Sequence, residues 1–293
     1  MVKVEKKLGF FKGHDDHPIY YESRGKGDPI VFVYGIACLM NHWNHQIDYF
    51  SQTHRVITFD LRGHHKTARP QSIENLSLVS LGCDLKSLLE HLKISQAHFV
   101  GHSFGAQVLL SGYKQHPEIF KTMTFINGFA TNPIKEMFGL GLVEKFYYFL
   151  KASYTQNPTL WKTLWKLGVE NPLAVPLTSL AGGFNIKVTS LKDIQVYAKG
   201  VANIDLEVFL HLFEELMRFD GNSILSQIEC PALIISGEND RVTPMKFQEA
   251  LAQQIPHAEF LKVPYGSHCT QLDFPDYVNL RLEKFISLYE KAP

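Results

Sequence analysis

The segment Ala97-His98-Phe99-Val100-Gly101-His102-Ser103-Phe104-Gly105 decides the fold of this chain, because a strand pattern changes there into a helix pattern. Residues 97–100 are typical of a buried parallel strand, and residues 105–115 have the apolar periodicity of a helix. The spacing Gly-x-Ser-x-Gly between them predicts a tight turn with Ser103 at its tip. Glycine on both sides lets the strand and the helix approach closely, because it has no Cβ.

Short apolar runs of the same kind occur on both sides of this segment and alternate with helical patterns. The runs cover residues 30–33, 55–59, 122–126, 233–235 and 259–263. The helical patterns cover residues 78–92, 105–115, 244–254 and 277–289. This alternation predicts an α/β fold with right-handed crossovers, a mostly parallel sheet and helices on both faces. Two further runs between Leu8 and Ser23 predict an antiparallel hairpin at the sheet edge.

The alternation of strands and helices stops after residue 131 and resumes near Pro231. We therefore predict one core formed by residues 1–131 and 220–293, with residues 132–219 inserted as a mainly helical cap. The inserted stretch is rich in tryptophan, tyrosine and phenylalanine. Most of these aromatic side chains are expected to pack the cap. Some are expected to line an apolar pocket at the carboxyl ends of the strands, where open α/β sheets bind ligands.

The composition of the 293 residues is that of an ordinary globular protein, with 45% hydrophobic and 20% charged residues. Lysine plus arginine balances aspartate plus glutamate at 29 each, so no overall charge favours nucleic acid or an anionic membrane. The four cysteines have neither metal-site nor disulfide-scaffold spacing, and no run of about 18 apolar residues predicts a transmembrane helix. Residues 1–10 lack a secretory pattern, and we expect a cytoplasmic protein.

A serine hydroxyl becomes a good nucleophile only when a base takes its proton, so Ser103 needs an imidazole nearby. On the segment quoted above and on Ser236-Gly237-Glu238-Asn239-Asp240-Arg241-Val242-Thr243-Pro244, the chain resembles the α/β-hydrolase fold family. The likeness is to its cap-bearing esterase, lactonase and lipase-like branch, and it covers nearly the whole chain outside the cap. It implies the chain order nucleophile, acid, histidine.

The same resemblance implies the other two members of a catalytic triad. Asp240 matches the acid of the family motif, although Glu238 is a rival on chemistry alone. His268 follows the last predicted strand in Val263-Pro264-Tyr265-Gly266-Ser267-His268, and it is the implied general base. The chain contains 14 histidines, so composition alone does not select one of them.

A tetrahedral intermediate also needs hydrogen-bond donors for its negatively charged oxygen. The predicted turn places the backbone N–H of Phe104 at a helix N-terminus, where it can donate. The resemblance implies a second donor, the backbone N–H of Ile36 in Tyr34-Gly35-Ile36-Ala37. Tyrosine replaces the histidine that is usual there, and its hydroxyl either contacts substrate or packs. The predicted substrate contacts are Tyr34, Gly35 and His102.

The run Asp60-Leu61-Arg62-Gly63-His64-His65 resembles the family's Asp-Leu-Arg-Gly-His-Gly run, and we assign it a structural role. The pair His64 and His65, or His42 and His45 at helical spacing, could suggest a metal site. No carboxylate or third ligand completes a recognisable pattern. We therefore predict neither a metal nor a cofactor.

The sequence thus predicts hydrolysis of a carboxylic ester with an apolar acyl group, through an acyl-enzyme on Ser103. Lactonase, thioesterase, carbon–carbon bond hydrolase and cofactor-free perhydrolase activities share the same triad and stay open. Haloalkane dehalogenases and epoxide hydrolases of this fold use an aspartate nucleophile, and Ser103 argues against both. An alternative of another class is a ligand-binding or signalling protein on a hydrolase scaffold. The natural substrate, the leaving group and the oligomeric state are left open.

Overall fold

The computed structural model describes residues 5–139, 141–171 and 183–290. The strands are β1 (Lys6–Lys12), β2 (Pro18–Arg24), β3 (Pro29–Val33), β4 (Arg55–Phe59), β5 (Ala97–His102), β6 (Phe120–Ile126), β7 (Ala232–Gly237) and β8 (Glu259–Val263). They form one sheet in the order β1-β2-β4-β3-β5-β6-β7-β8. β2 pairs antiparallel with β1 and with β4, and the remaining pairs are parallel. The predicted α/β fold, with its hairpin at the sheet edge, is confirmed.

Helices follow most strands of the sheet. They are α1 (Asn44–Phe50), α2 (Leu78–Leu92), α3 (Phe104–Gln115), α4 (Val143–Gln156), α5 (Pro158–Glu170), α6 (Leu191–Asn203), α7 (Leu206–Arg218), α8 (Asn222–Leu225), α9 (Lys246–Gln254), α10 (Thr270–Asp273) and α11 (Pro275–Ser287). In the described part of the chain, no helix has the length and apolar character needed to cross a bilayer.

Helix α2 shows how the sequence pattern becomes packing. The hydroxyl of Ser77 caps the helix by accepting a hydrogen bond from the backbone N–H of Ser80. Leu81, Leu85 and Leu88 are spaced so that they share one face, and all three are completely buried. Each buried leucine contributes roughly 1.5–3 kcal/mol relative to an exposed one. The leucine periodicity therefore fixes which face of α2 packs against the sheet domain.

Between the end of β6 at Ile126 and the start of β7 at Ala232, the described residues form helices and loops but no strand. Helices α4, α5, α6 and α7 lie in this interval, and we call them the inserted helices. The Tyr147 hydroxyl of α4 donates to the Leu210 carbonyl of α7 at 2.8 Å, which ties two of them together. Gly63 in the core packs against Val208 of α7.

The parallel strands bring distant parts of the chain to one edge of the sheet. Strands β3, β5, β6, β7 and β8 run in the same direction, so their carboxyl ends lie together. The loops that leave these ends carry Gly35, Ser103, Asn127, Asp240 and His268, respectively. This edge is where ligands bind in open α/β sheets, and the inserted helices lie beside it.

Candidate active site

Ser103 occupies the turn between β5 and α3 in a conformation that few residues adopt. Its backbone angles are φ 53° and ψ −120°. The turn is held by a hydrogen bond from the Ser103 N–H to the Ile126 carbonyl at 3.1 Å. A Cβ at Gly105 would lie 2.3 Å from the Val33 carbonyl oxygen, so the predicted close approach of helix and strand requires glycine. The strained backbone conformation of Ser103 costs about 1–3 kcal/mol and is typical of functional turns.

The side chains of Ser103, His268 and Asp240 form one hydrogen-bonded line. Ser103 Oγ lies 3.0 Å from His268 Nε2, and His268 Nδ1 lies 2.9 Å from Asp240 Oδ2. All three residues are buried. A proton can pass directly from the serine hydroxyl to the imidazole, while the carboxylate keeps the other imidazole nitrogen protonated. The structure therefore brings together the three residues that the sequence selected as a triad.

The Asp240 carboxylate is oriented by its own loop. Its Oδ1 accepts hydrogen bonds from the backbone N–H groups of Val242 and Thr243 at 2.9 and 2.8 Å. The Thr243 hydroxyl lies 2.7 Å from Oδ2, the oxygen that faces the imidazole. Glu238, the rival acid, forms an ion pair with Lys262 at 2.9 Å near the surface. The geometry thus favours Asp240 as the partner of the imidazole.

Asn127 connects the acid and histidine loops, and sequence reasoning missed it. Its Nδ2 lies 2.7 Å from the His268 carbonyl oxygen and 3.0 Å from that of Ser267. Its Oδ1 accepts a hydrogen bond from the Gly237 N–H at 2.7 Å. The Thr243 hydroxyl lies 3.1 Å from the Asn127 carbonyl oxygen. Its position in the sequence could have marked it as a candidate, because Asn127 directly follows β6 at the edge where the other loops meet.

The loop that follows β3 is braced by His64. The Ala37 N–H donates to His64 Nε2 at 3.1 Å, and His64 Nδ1 donates to the Arg62 carbonyl at 3.1 Å. Burial lowers the pKa of His64 to about 4, so the imidazole is neutral and its Nε2 accepts. Ile36, the predicted oxyanion donor, lines the cavity next to this brace. Phe104 is the first residue of α3, where backbone N–H groups lack intrahelical acceptors.

The hydroxyl of Tyr34, a predicted substrate contact, is bonded to the loop that follows β4. It donates to Asp60 Oδ1 at 3.2 Å and accepts from the Leu61 N–H at 2.9 Å. Tyr34 is not among the described residues that line the cavity. Burial, with Asp60 nearby, raises the pKa of Tyr34, and burial raises the pKa of Asp60 to about 7. Of the two interpretations open from the sequence, packing describes its position.

His102 and Gly35, the other predicted substrate contacts, both line the cavity. His102 Nε2 donates to the His268 carbonyl at 2.8 Å, so this side chain also supports the histidine loop. Burial holds the pKa of His102 well below its usual range, and the ring is therefore neutral. His42 lies beside it with ring centres 5.1 Å apart, and burial lowers the pKa of His42 to about 3.

Arg62 anchors the loop after β4 away from the cavity. Its guanidinium is completely buried and bonds Asp84 and Asp15 at 2.7 Å each. Buried arginine that is paired on both sides holds loops in place without requiring a ligand. In the described residues, no group of three or more His, Cys, Asp or Glu side chains is placed to hold a metal.

A cavity of about 410 Å³ lies between the sheet edge and the inserted helices, and Ser103 and His268 line it. The apolar lining comes from Ile36, Cys38 and Phe129 of the loops and from Trp165, Phe184, Tyr197, Phe209 and Phe213 of the insertion. Of the described residues that line it, none is Asp, Glu, Lys or Arg. The volume is within the usual range for small-molecule sites.

Comparisons with known proteins agree with this architecture. The sequence model described as alpha/beta hydrolase fold matches residues 28–275. A protein assigned as the carbamate hydrolase RutD of Azorhizobium caulinodans is 25% identical over 92% of this chain and 95% of its own length. The (E)-2-((N-methylformamido)methylene)succinate hydrolase of Acinetobacter baylyi is 23% identical over 91% of this chain and 93% of its own length.

Solved structures show the same fold at low identity. A thermophilic esterase from Thermogutta terrifontis has a TM-score of 0.74 and 18% identity, covering 97% of this chain and 100% of its own. Together with the match over residues 28–275, this defines the class of protein. The chain belongs to the α/β-hydrolase fold family, and it is a hydrolase by family.

Acid should destabilise the protein because buried neutral imidazoles must become protonated when it unfolds. Burial lowers the pKa values of five histidines below the usual value of about 6.5, and the lowering is large in four of them. These four are His42, His64, His98 and His102. Below pH 6.5 the unfolded chain binds protons that the native protein does not, so the free energy of unfolding falls as pH falls. Asp60, with its raised pKa, acts in the opposite direction and offsets about one of the four.

The expected net slope is roughly 4 kcal/mol per pH unit near pH 5, measured by urea unfolding at pH 7, 6 and 5. The variant His64→Gln should reduce that slope by about 1 kcal/mol per pH unit, since it removes one titrating group. Exchange of the exposed Gln254 for asparagine, which involves no titrating group, is the control and should leave the slope unchanged. Equal stability at pH 5 and pH 7 would contradict this prediction.

Proposed function

We propose that this hydrolase cleaves a carboxylic ester through an acyl-enzyme formed on Ser103. The observation that carries the proposal is the continuous hydrogen-bonded line from Ser103 Oγ through His268 to Asp240. It is supported by the strained turn that exposes the serine to the cavity and by the family membership. The same geometry serves lactones and thioesters, since these also contain an activated carbonyl carbon.

The proposed reaction follows from the positions of these atoms. His268 Nε2 takes the proton of Ser103 Oγ as the oxygen attacks the carbonyl carbon. The backbone N–H groups of Ile36 and Phe104 are the proposed donors to the resulting oxyanion. The carbon–oxygen bond to the alcohol then breaks, and the imidazole returns its proton to the leaving alkoxide. Water, deprotonated by the same imidazole, attacks the acyl-enzyme, releases the acid and restores the serine.

The cavity supports an apolar, uncharged acyl group as the substrate. Its described lining residues are mostly aromatic and aliphatic, and no Asp, Glu, Lys or Arg side chain is among them. A carboxylate placed there would lose its hydration without gaining a lysine or arginine partner, which is costly. Residues 132–219 are the proposed cap that supplies the far wall of this cavity. The cytoplasm is the proposed compartment, in keeping with four cysteines that are all free thiols.

A fluorophosphonate probe tests whether Ser103 is an activated nucleophile. We expect labelling of the folded protein at Ser103, shown by mass spectrometry of the modified peptide, because only an activated serine reacts readily with such probes. Labelling should be lost on unfolding, which separates Ser103 from its base. A folded protein that is not labelled would instead favour the ligand-binding or signalling alternative.

A series of nitrophenyl esters tests the proposed acyl group. From acetate to octanoate, kcat/KM should rise on the order of 10-fold for every two methylene groups until the cavity is filled. An ester of the same length that ends in a carboxylate should be at least ~10-fold poorer than octanoate, because the cavity offers its charge no partner. A sharp preference for acetate, or for the carboxylate-ended ester, would contradict the proposed acyl specificity. Lactone and thioester substrates in the same assay distinguish the remaining alternatives.

A further inference from the structure

The Asp273 carboxylate joins two parts of the chain that border the catalytic centre. Its Oδ2 accepts hydrogen bonds from the backbone N–H and the hydroxyl of Ser267, both at 2.6 Å. Its Oδ1 accepts from the backbone N–H of Asn185 at 3.2 Å and contacts the Thr189 hydroxyl. Ser267 directly precedes His268, whereas the other two donors belong to the insertion. Asp273 is 4% exposed, so water does not compete for these bonds.

The residues of the insertion that Asp273 contacts lie next to the cavity wall. Phe184, next to Asn185 in the chain, lines the cavity and contacts Tyr197 with ring centres 4.9 Å apart. The Ser267 hydroxyl also lies 3.3 Å from the Gly183 carbonyl oxygen. Residues 183–189 also meet the histidine loop where Asn185 Nδ2 donates to the Tyr265 carbonyl at 2.9 Å and where Phe184 packs with Cys269 and Leu272. Within this contact, the Asp273 carboxylate is the group that accepts backbone N–H groups from both segments.

We propose that Asp273 is a positioning residue that holds the substrate-facing segment 183–189 and the loop of His268 in one fixed arrangement. The acyl-binding wall and the general base are then aligned by the same group. This inference rests on the proposed function, because it assigns Asp273 an effect on the proposed base. Asp273 touches neither the substrate cavity nor the reacting atoms, so its influence passes through Ser267 and Asn185.

A carboxylate is required at this junction because backbone N–H groups approach it from both sides. A hydroxyl group can rotate and accept a hydrogen bond from an amide, whereas a backbone N–H group can only donate. The amide of an Asp273→Asn variant has one accepting oxygen, which can serve the Ser267 N–H or the Asn185 N–H, but not both. Either orientation leaves one of these two N–H groups without its carboxylate acceptor, and the segment that carries it must move.

The first test uses Asp273→Asn, with Asp276→Asn on the exposed start of α11 as the matched control. The kcat for nitrophenyl octanoate, expressed per site titrated with fluorophosphonate, should fall on the order of 10- to 100-fold, and KM should rise. A purely structural role would lower the titrated fraction and the melting temperature but leave kcat per titrated site unchanged. That result would overturn the proposal.

The second test separates the insertion side of the junction from the histidine side. Thr189→Val removes the hydroxyl at nearly constant volume, and Thr189→Ser keeps it. Compared with the serine variant, the valine variant should show a KM for octanoate that is raised by roughly 3- to 10-fold, with a smaller change in kcat. Equal KM values in the two variants would overturn the proposal, and this pair decides alone if Asp273→Asn does not fold.

Hydrogen exchange supplies a readout that does not depend on turnover. In Asp273→Asn, exchange of backbone amides should increase together in residues 183–190 and 266–271, because both segments lose the same anchor. An increase confined to one segment would contradict their coupling. If the wild-type protein turns over no ester, lactone or thioester, the proposed function fails, and the exchange measurement still decides whether Asp273 couples the two segments.

Discussion

Replacement of Ser103 by alanine is expected to lower kcat for nitrophenyl esters by about 10⁵- to 10⁶-fold. The variant keeps the cavity, the imidazole and the oxyanion donors, but it has no atom that can form the acyl-enzyme. The effect should appear in kcat rather than in KM, because the hydroxyl contributes bonding mainly in the transition state. Initial-rate measurements with the octanoate ester provide the test, with fluorophosphonate labelling measured in parallel.

The fold of the Ser103→Ala protein should be unaffected, so that the loss can be attributed to chemistry. Alanine has the same Cβ as serine and meets the same backbone strain at φ 53°. Its melting temperature should therefore stay close to that of the wild type. Ser223→Ala, on the exposed surface, is the control and should retain full activity. Activity of Ser103→Ala within 10-fold of wild type would end the acyl-enzyme proposal.

The variant Asp240→Asn should lower kcat by about 10⁴-fold while leaving the fold intact. The backbone N–H groups of Val242 and Thr243 both donate to Oδ1, so the asparagine oxygen must occupy that position. Its NH₂ group then replaces Oδ2 and points at His268 Nδ1. The imidazole must accept there and carry its proton on Nε2, where it can no longer take the proton of Ser103.

The matched control for Asp240→Asn is Glu238→Gln, only two residues away. Glu238 is paired with Lys262 near the surface, whereas the His268 imidazole bonds Asp240. Its neutralisation should therefore change kcat by less than about 2-fold, as for other exposed ion pairs. If Glu238→Gln were the more damaging variant, the acid would have been assigned to the wrong residue. Equal small effects of both variants would argue against a triad.

Much of the fold could be predicted from the sequence because the signals are local. A strand that is buried on both faces is mostly apolar, as residues 30–33 are throughout and residues 55–59 and 97–100 are apart from Arg55, Thr58 and His98. The leucine spacing of α2 likewise fits a helix with a single apolar face. The predicted strand 233–235 lies within β7. The predicted strands 122–126 and 259–263, whose apolar pattern is weaker, lie within β6 and β8.

Only some residues of the candidate site could be predicted from the sequence. Ser103 is singled out by glycine spacing in its own turn, whereas Asp240 and His268 depended on resemblance to a family motif. The contacts of Asn127 with the histidine loop join residues 140 and 141 positions apart, and no local pattern reports such a contact. No local sequence pattern indicates the contacts of Asp273 either, because its hydrogen-bond donors come from two separate loops.

The sequence by itself determined the alternation of strands and helices, the antiparallel hairpin and the sharp turn at Ser103. These features depend on residues that are neighbours in the chain, where apolar period and missing Cβ atoms act directly. Only the tertiary structure decided that Asn127 joins the acid and histidine loops and that the Tyr34 hydroxyl packs against Asp60. The physical reason is that hydrogen bonding and burial are set by the groups that folding brings close, and these lie far apart in the chain.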